Sequence, residues 1–128
     1  MKKLIVFALA TLTFAACQES LEEKAAREAR LYTKKNCPAK ITDNVIMDSM
    51  TFEAQTHTLH YYFTLTGMTD STGVTDKEEA RKNMLAALKN ETSIAEYKLA
   101  GYNFAYTYHS QRSPQTVLFE TIFTKNDY

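Results

Sequence analysis

The chain is 128 residues long, with 15 lysines and arginines against 15 aspartates and glutamates, three glycines and two cysteines. A length of this order holds one domain, and two cysteines allow at most one disulfide. The balanced charge lacks the clustered basic excess of a nucleic-acid footprint, so no nucleic-acid partner is expected.

Met1, Lys2 and Lys3 make a short basic start, and the apolar run from Leu4 to Ala16 carries no charge. This is the pattern of a secretory signal, and the run is too short to span a bilayer as a helix, which takes about 20 residues. Phe14-Ala15-Ala16-Cys17 resembles the lipobox of bacterial lipoproteins, in which a cysteine preceded by small residues is acylated and becomes the first residue of the mature chain. Phe14 departs from it, leucine being commonest there. The plain alternative is a signal cleaved at Ala15-Ala16 without lipid. The lipoprotein reading divides the chain into a signal peptide over residues 1–16, a lipidated start and short tether over 17–19, and one α+β domain over 20–128. Its first partner is a membrane, held through acylated Cys17, and stable anchoring takes more than one acyl chain. Gln18 after the cysteine resembles outer-membrane rather than inner-membrane sorting. Glu19, Glu22 and Glu23 resemble surface-export tethers, but the same glutamates are equally expected in the first turn of a helix, which is the favoured explanation. With Cys17 spent on lipid, Cys37 has no partner in the chain and is expected to be buried or to bond another molecule.

Ser20-Leu21-Glu22-Glu23 has capping-box spacing, and Leu21, Ala25, Ala29 and Tyr32 recur at helical intervals, with Glu23 and Arg27 placed to pair. This predicts a helix ending near Lys34 or Lys35, before Pro38. Residues 44–54 are compatible with a strand on which Ile46, Asp48, Met50, Phe52 and Ala54 share a face. Thr58 to Thr66 alternates more clearly, Leu59, Tyr61, Phe63 and Leu65 against His60, Tyr62 and Thr64, so Gln55 to His57 should turn a hairpin. The stretch GMTDSTG, residues 67–73, is rich in turn formers. Thr75-Asp76-Lys77-Glu78 repeats the capping-box spacing and opens a second helix to about Asn90. Tyr102, Phe104, Tyr106 and Tyr108 then alternate with Asn103, Ala105 and Thr107 as a strand. After a polar turn over residues 110–115, Val117 to Thr124 forms the last strand, apolar on both faces and so expected in a central position. The order is helix, hairpin, helix, hairpin (αββαββ). It predicts an α+β fold, an antiparallel sheet with helices on one face, with the αββ unit duplicated. Cystatin-like and β-lactamase-inhibitor-like domains share such an architecture.

The segments NCPAKITDNVIMDSMTF, TLHYYFTL, KLAGYNFAYTY and TIFTKNDY resemble a group of small bacterial lipoproteins and secreted proteins of unknown function. These carry an Asn-x-Cys-Pro step after the first helix and tyrosine-alternating strands. The resemblance implies the fold and an envelope location, and brings no catalytic residues.

No constellation of residues identifies a reaction. His57 and His60 should face opposite ways on a strand, and His109 lacks an acidic or cysteine neighbour at ligand spacing, so no metal site is expected. Cys37 sits in no nucleophile motif, and serine and carboxylate hydrolase signatures are absent. No cofactor is called for. Tyr61, Tyr102, Tyr106 and Tyr108 share parity with Leu59, Phe63 and Phe104 and read as core beneath the two helices. The opposite face, bearing Tyr62, His60, Asn103 and Thr107, is then the candidate surface for a protein partner. The reading is a lipid-anchored, non-enzymatic envelope protein that binds an envelope or secreted protein, as an inhibitor, immunity-type protein or accessory subunit. The competing reading is a carrier of a small ligand or lipid, which requires a concave apolar pocket.

Overall fold

Ser20 opens the first helix, α1 (Leu21–Asn36), by accepting the Glu23 amide on its side chain at 3.1 Å. The computed structural model describes residues 18–128; the predicted signal over 1–16 and the predicted lipidation site Cys17 lie outside the described residues. Glu22 and Glu23 occupy the first turn and Lys34 and Lys35 the last, so both ends complement the helix dipole. Arg27 pairs with Glu19, at 2.5 Å, and not with Glu23 as the helical spacing predicts. Reaching back to the residue before the cap, it ties the chain's approach to the helix.

A short strand the sequence reading missed, β1 (Ala39–Thr42), leads into β2 (Val45–Glu53), and a turn over residues 54–57 leads to β3 (Thr58–Leu65). His57 adopts φ 52° in that turn, a left-handed conformation that histidine tolerates better than most residues. GMTDST forms a brief helix, α2 (Gly67–Thr72), where only a turn is expected. The long helix α3 (Lys77–Asn90) is capped by Asp76, whose side chain accepts from the Glu79 amide at 3.0 Å. The cap is thus one residue later than the predicted Thr75. A further short helix, α4 (Ala95–Leu99), precedes β4 (Asn103–Ser110) and β5 (Val117–Phe123).

The strands lie in the order β1-β2-β3-β4-β5. Every neighbouring pair is antiparallel except β3 and β4, which run parallel in register from Thr58 with Asn103 to Leu65 with Ser110. The expectation of a purely antiparallel sheet is therefore corrected. The chain leaves the far end of β3, returns through α2, α3 and α4, and re-enters beside β3 in the same direction, as a helical crossover allows. The fold is α+β with an open mixed sheet, and β1, α2 and α4 exceed the predicted helix-hairpin-helix-hairpin plan. β5 is an edge strand, not a central one. Its second apolar face is left in solvent, Ile122 being 48% exposed, and Arg81 of α3 guards the edge by donating to Thr121 Oγ1 and to the Ile122 carbonyl.

A bulge at Asp48 corrects the parity of β2. Met47 pairs with Phe63 but Ser49 with Tyr62, so one extra residue shifts the alternation. Val45 and Met47 accordingly share a face with Met50 and Phe52, whereas Ile46 does not. That face is the core face. Leu21 and Ala25 of α1, Met84 and Leu88 of α3 and Tyr97 of α4 pack on Phe52, Leu59, Phe104 and Phe123. Ala25, Phe104 and Phe123 are completely buried.

Candidate functional site

The helices do not cover the whole core face. Beyond Tyr97 the C-terminal half of α1 and the body of α3 stand apart, leaving an open groove of about 790 Å³ over the sheet, within the range of about 300–1,000 Å³ that ligand sites occupy. Its floor is aromatic, formed by Tyr61 and Phe63 of β3 and Tyr106 and Tyr108 of β4. The parallel register sets these rings side by side, Tyr61 against Tyr106 at 5.0 Å between centroids and Phe63 against Tyr108 at 4.6 Å. Leu31 and Tyr32 form one wall and Met84 and Leu88 the other, with Met47 and Met50 contributed by β2. Polar groups are few and sit on the rim, chiefly Glu28 and Lys35 on α1 and Glu91 after α3.

Burial pushes the Tyr61 hydroxyl up to about 12 and moves those of Tyr106 and Tyr108 in the same direction. The floor therefore keeps neutral phenols, able to donate as well as accept. Glu91 is held below the usual carboxylate range by the amide and hydroxyl of Ser93, so that rim stays negative. The tyrosines expected as core thus divide. Tyr102 is buried, its ring 5.5 Å from that of Tyr97, while Tyr61, Tyr106 and Tyr108 are half-buried groove residues.

On the opposite face the structure brings together three of the four predicted partner-binding residues. His60 Nδ1 lies 3.2 Å from Glu53 and its Nε2 2.7 Å from Thr107, while Thr107 donates to Glu120 at 3.1 Å. Tyr62 stacks on His60 at 4.1 Å and lies 6.3 Å from His109. Asn103 stands apart at the start of β4, its amide donating to the Thr56 carbonyl at 3.1 Å. Carboxylate, imidazole and hydroxyl follow the order of a nucleophilic triad, but the arrangement cannot act as one. Thr107 is 4% exposed, and its hydroxyl hydrogen is committed to Glu120.

His57 turns toward the helices, hydrogen-bonding Glu22 at 2.9 Å and lying over Tyr102. Among the described residues, buried His109 Nδ1 finds no hydrogen-bond partner. Among the described residues no three His, Cys, Asp or Glu side chains converge as metal ligands. Cys37 is a half-buried free thiol, pushed up by burial and by Asp48, which opposes the thiolate a nucleophile needs. Among the described residues no helix is long and apolar enough to cross a membrane.

Three solved structures share the fold. A Pseudomonas aeruginosa protein classed as secreted superposes with a TM-score of 0.67 at 12% identity, over 86% of this chain and 98% of its own. EpsS, a type II secretion system pilotin from Vibrio vulnificus, gives 0.65 at 12% identity, over 84% and 90%. AspS, a type II secretion system pilotin from Vibrio cholerae, gives 0.63 at 16% identity, over 90% and 98%. No curated protein matches the chain in sequence. The match that does extend through the domain, over residues 20–119, is to the family described as Domain of unknown function (DUF8479), and the chain belongs to that family.

Proposed function

We propose that this chain is a lipid-anchored, non-enzymatic protein of the bacterial envelope that takes an apolar segment of a partner protein into the groove between α1 and α3. One observation carries the reading: an aromatic floor with methionine-bearing sides is left open where a domain of this size would be expected to close its core. Methionines adapt to irregular partners and tyrosines supply rigid contact area. A trough open to solvent admits a side chain stripe from a helix or strand, with Glu28, Lys35 and Glu91 reading the flanks. Likeness in fold to two pilotins of type II secretion systems supports an accessory role beside another envelope protein. The Phe14-Ala15-Ala16-Cys17 step supports anchoring through Cys17, and Gln18 after it favours the outer membrane over the inner.

The groove's volume and apolar lining also suit an acyl chain, which is the second reading. A photo-crosslinking residue at Tyr108 separates the two in natively anchored protein. A single protein adduct that disappears when Met84→Asp is added supports the binder. A lipid adduct at that position supports the carrier, and a protein adduct formed from Tyr62 but not from Tyr108 moves the contact to the outer face. Cys17→Ala is expected to release the protein from membranes and to abolish acyl labelling. Labelled, membrane-bound protein in that variant would remove the anchor.

A further inference from the structure

The polar ladder on the outer sheet face has hydrogens that can be counted. Glu53 Oε1 to His60 Nδ1 is 3.2 Å, His60 Nε2 to Thr107 Oγ1 is 2.7 Å, and Thr107 Oγ1 to Glu120 Oε1 is 3.1 Å. One chain of contacts thus crosses β2, β3, β4 and β5. An ionised carboxylate only accepts, and a threonine hydroxyl owns a single hydrogen. With both glutamates ionised, Nδ1 must donate to Glu53 and the Thr107 hydroxyl must donate to Glu120. Thr107 then offers only a lone pair to His60, so Nε2 must donate as well. A ring donating from both nitrogens is an imidazolium. Placing the proton on either glutamate gives the same total: three bonds require one proton beyond two carboxylates and a neutral ring.

We propose that Glu53, His60, Thr107 and Glu120 form a proton switch that ties the four strands together while it holds this extra proton and breaks one cross-strand bond when it gives the proton up. The His60 side chain is 12% exposed and Thr107 4%, so at Nε2 water is a poor substitute for a lost partner, whereas Glu53, 49% exposed, can turn to solvent if Nδ1 is the end that lets go. The other titratable groups on this face are Lys40 on β1, which pairs with Ile46 and lies 3.8 Å from Asp43, Asp48 on β2, engaged by the Thr64 hydroxyl at 2.6 Å, Tyr62 on β3 and His109 on β4. Helices α1, α3 and α4 pack on the opposite face. The complete ladder is the one that holds the extra proton, so its contribution is present at low pH and is lost once the pH is high enough to remove that proton.

The test uses the full chain in detergent micelles, with the thermal midpoint followed from about pH 5 to about pH 8 for wild type and Thr107→Val. His57 with Glu22, and His109, are unchanged by the substitution, so the difference between the two slopes belongs to the ladder. The wild-type midpoint is expected to fall by about 4–8 °C more than that of the variant. The His60 ring should show two N–H protons at the acid end and one at the alkaline end. If Thr107→Val does not fold, Glu120→Gln serves instead. Its amide donates to Thr107, releases the hydroxyl hydrogen for Nε2, and completes the ladder around a neutral ring, which flattens the slope. Equal slopes in wild type and the folded variant, or one protonation state of His60 throughout, would overturn the proposal.

Discussion

Two halves of one sheet face receive similar side chains and end in different states. Near the start of α1, Leu59, Tyr102, Phe104 and Phe123 are sealed. Farther along the same strands Tyr61, Phe63, Tyr106 and Tyr108 floor an open groove. The residues do not differ in hydrophobicity enough to explain this. What differs is the roof. Tyr97 from α4 drops into the first half, its hydroxyl donating to Glu28 at 2.6 Å, while among the described residues no element spans the gap between α1 and α3 over the second. Stability is thus concentrated at one end of the sheet, and the other is left free for contact.

The strongest challenge to this division compares neighbours of like parity on β4. Phe104→Ala is expected to cost about 3–5 kcal/mol, and Tyr106→Ala less than half as much, both measured by urea unfolding. Equal losses would mean that the groove half is as structural as the core. A finer probe is Tyr97→Phe, which keeps the ring and removes the donor to Glu28. Loss of that bond is expected to cost about 1.5 kcal/mol, and no loss would reduce the strut to simple packing. The smallest effect lies at the far end, where buried Asp70 of α2 accepts from the Ser110 hydroxyl and, at 3.0 Å, from the Arg112 amide. Those donors, the Ser110 hydroxyl foremost, hold its carboxyl below the usual range against the opposing effect of burial. A depressed folded value stabilises above the unfolded one and is lost as pH falls through it. The thermal midpoint should therefore drop more steeply in acid for wild type than for Asp70→Asn, and parallel curves would show that the carboxylate is not what pins α2.

The long, strongly periodic elements were legible in the sequence. α1, α3 and the alternating runs of β3, β4 and β5 all occur within a few residues of their predicted places. Shorter elements were not, because AKIT spans too few residues for alternation to register, GMTDST is composed of turn formers, and AEYKL is barely one helical turn. The Asp48 bulge defeated parity on β2, since a period-2 pattern carries no mark of the point at which it slips. Pairing direction between β3 and β4 depends on the length and path of the intervening helices, which local alternation does not record.

The groove was illegible for a different reason. Alternation assigns Tyr102 and Tyr108 to the same face, yet one lies beside Tyr97 and the other under open space. Whether a face is covered is decided by the spacing of helices far apart in sequence. The Glu53, His60, Thr107 and Glu120 ladder was half visible. His60 and Thr107 stood out as outward polar residues, but only the register of four strands brings the two glutamates to them.

The direction of α1 sets a height. The helix begins at Leu21, just beyond the residue proposed to carry lipid, and it meets the groove along its second half, from Glu28 to Asn36. At about 1.5 Å per residue the whole helix is a rigid post of about 24 Å. The trough begins at Glu28, about 10 Å along that post, so the chain entering from Cys17 and the trough lie toward opposite ends of α1. The first half of α1, and not its whole length, thus sets how far the groove stands from the end at which the chain enters the domain.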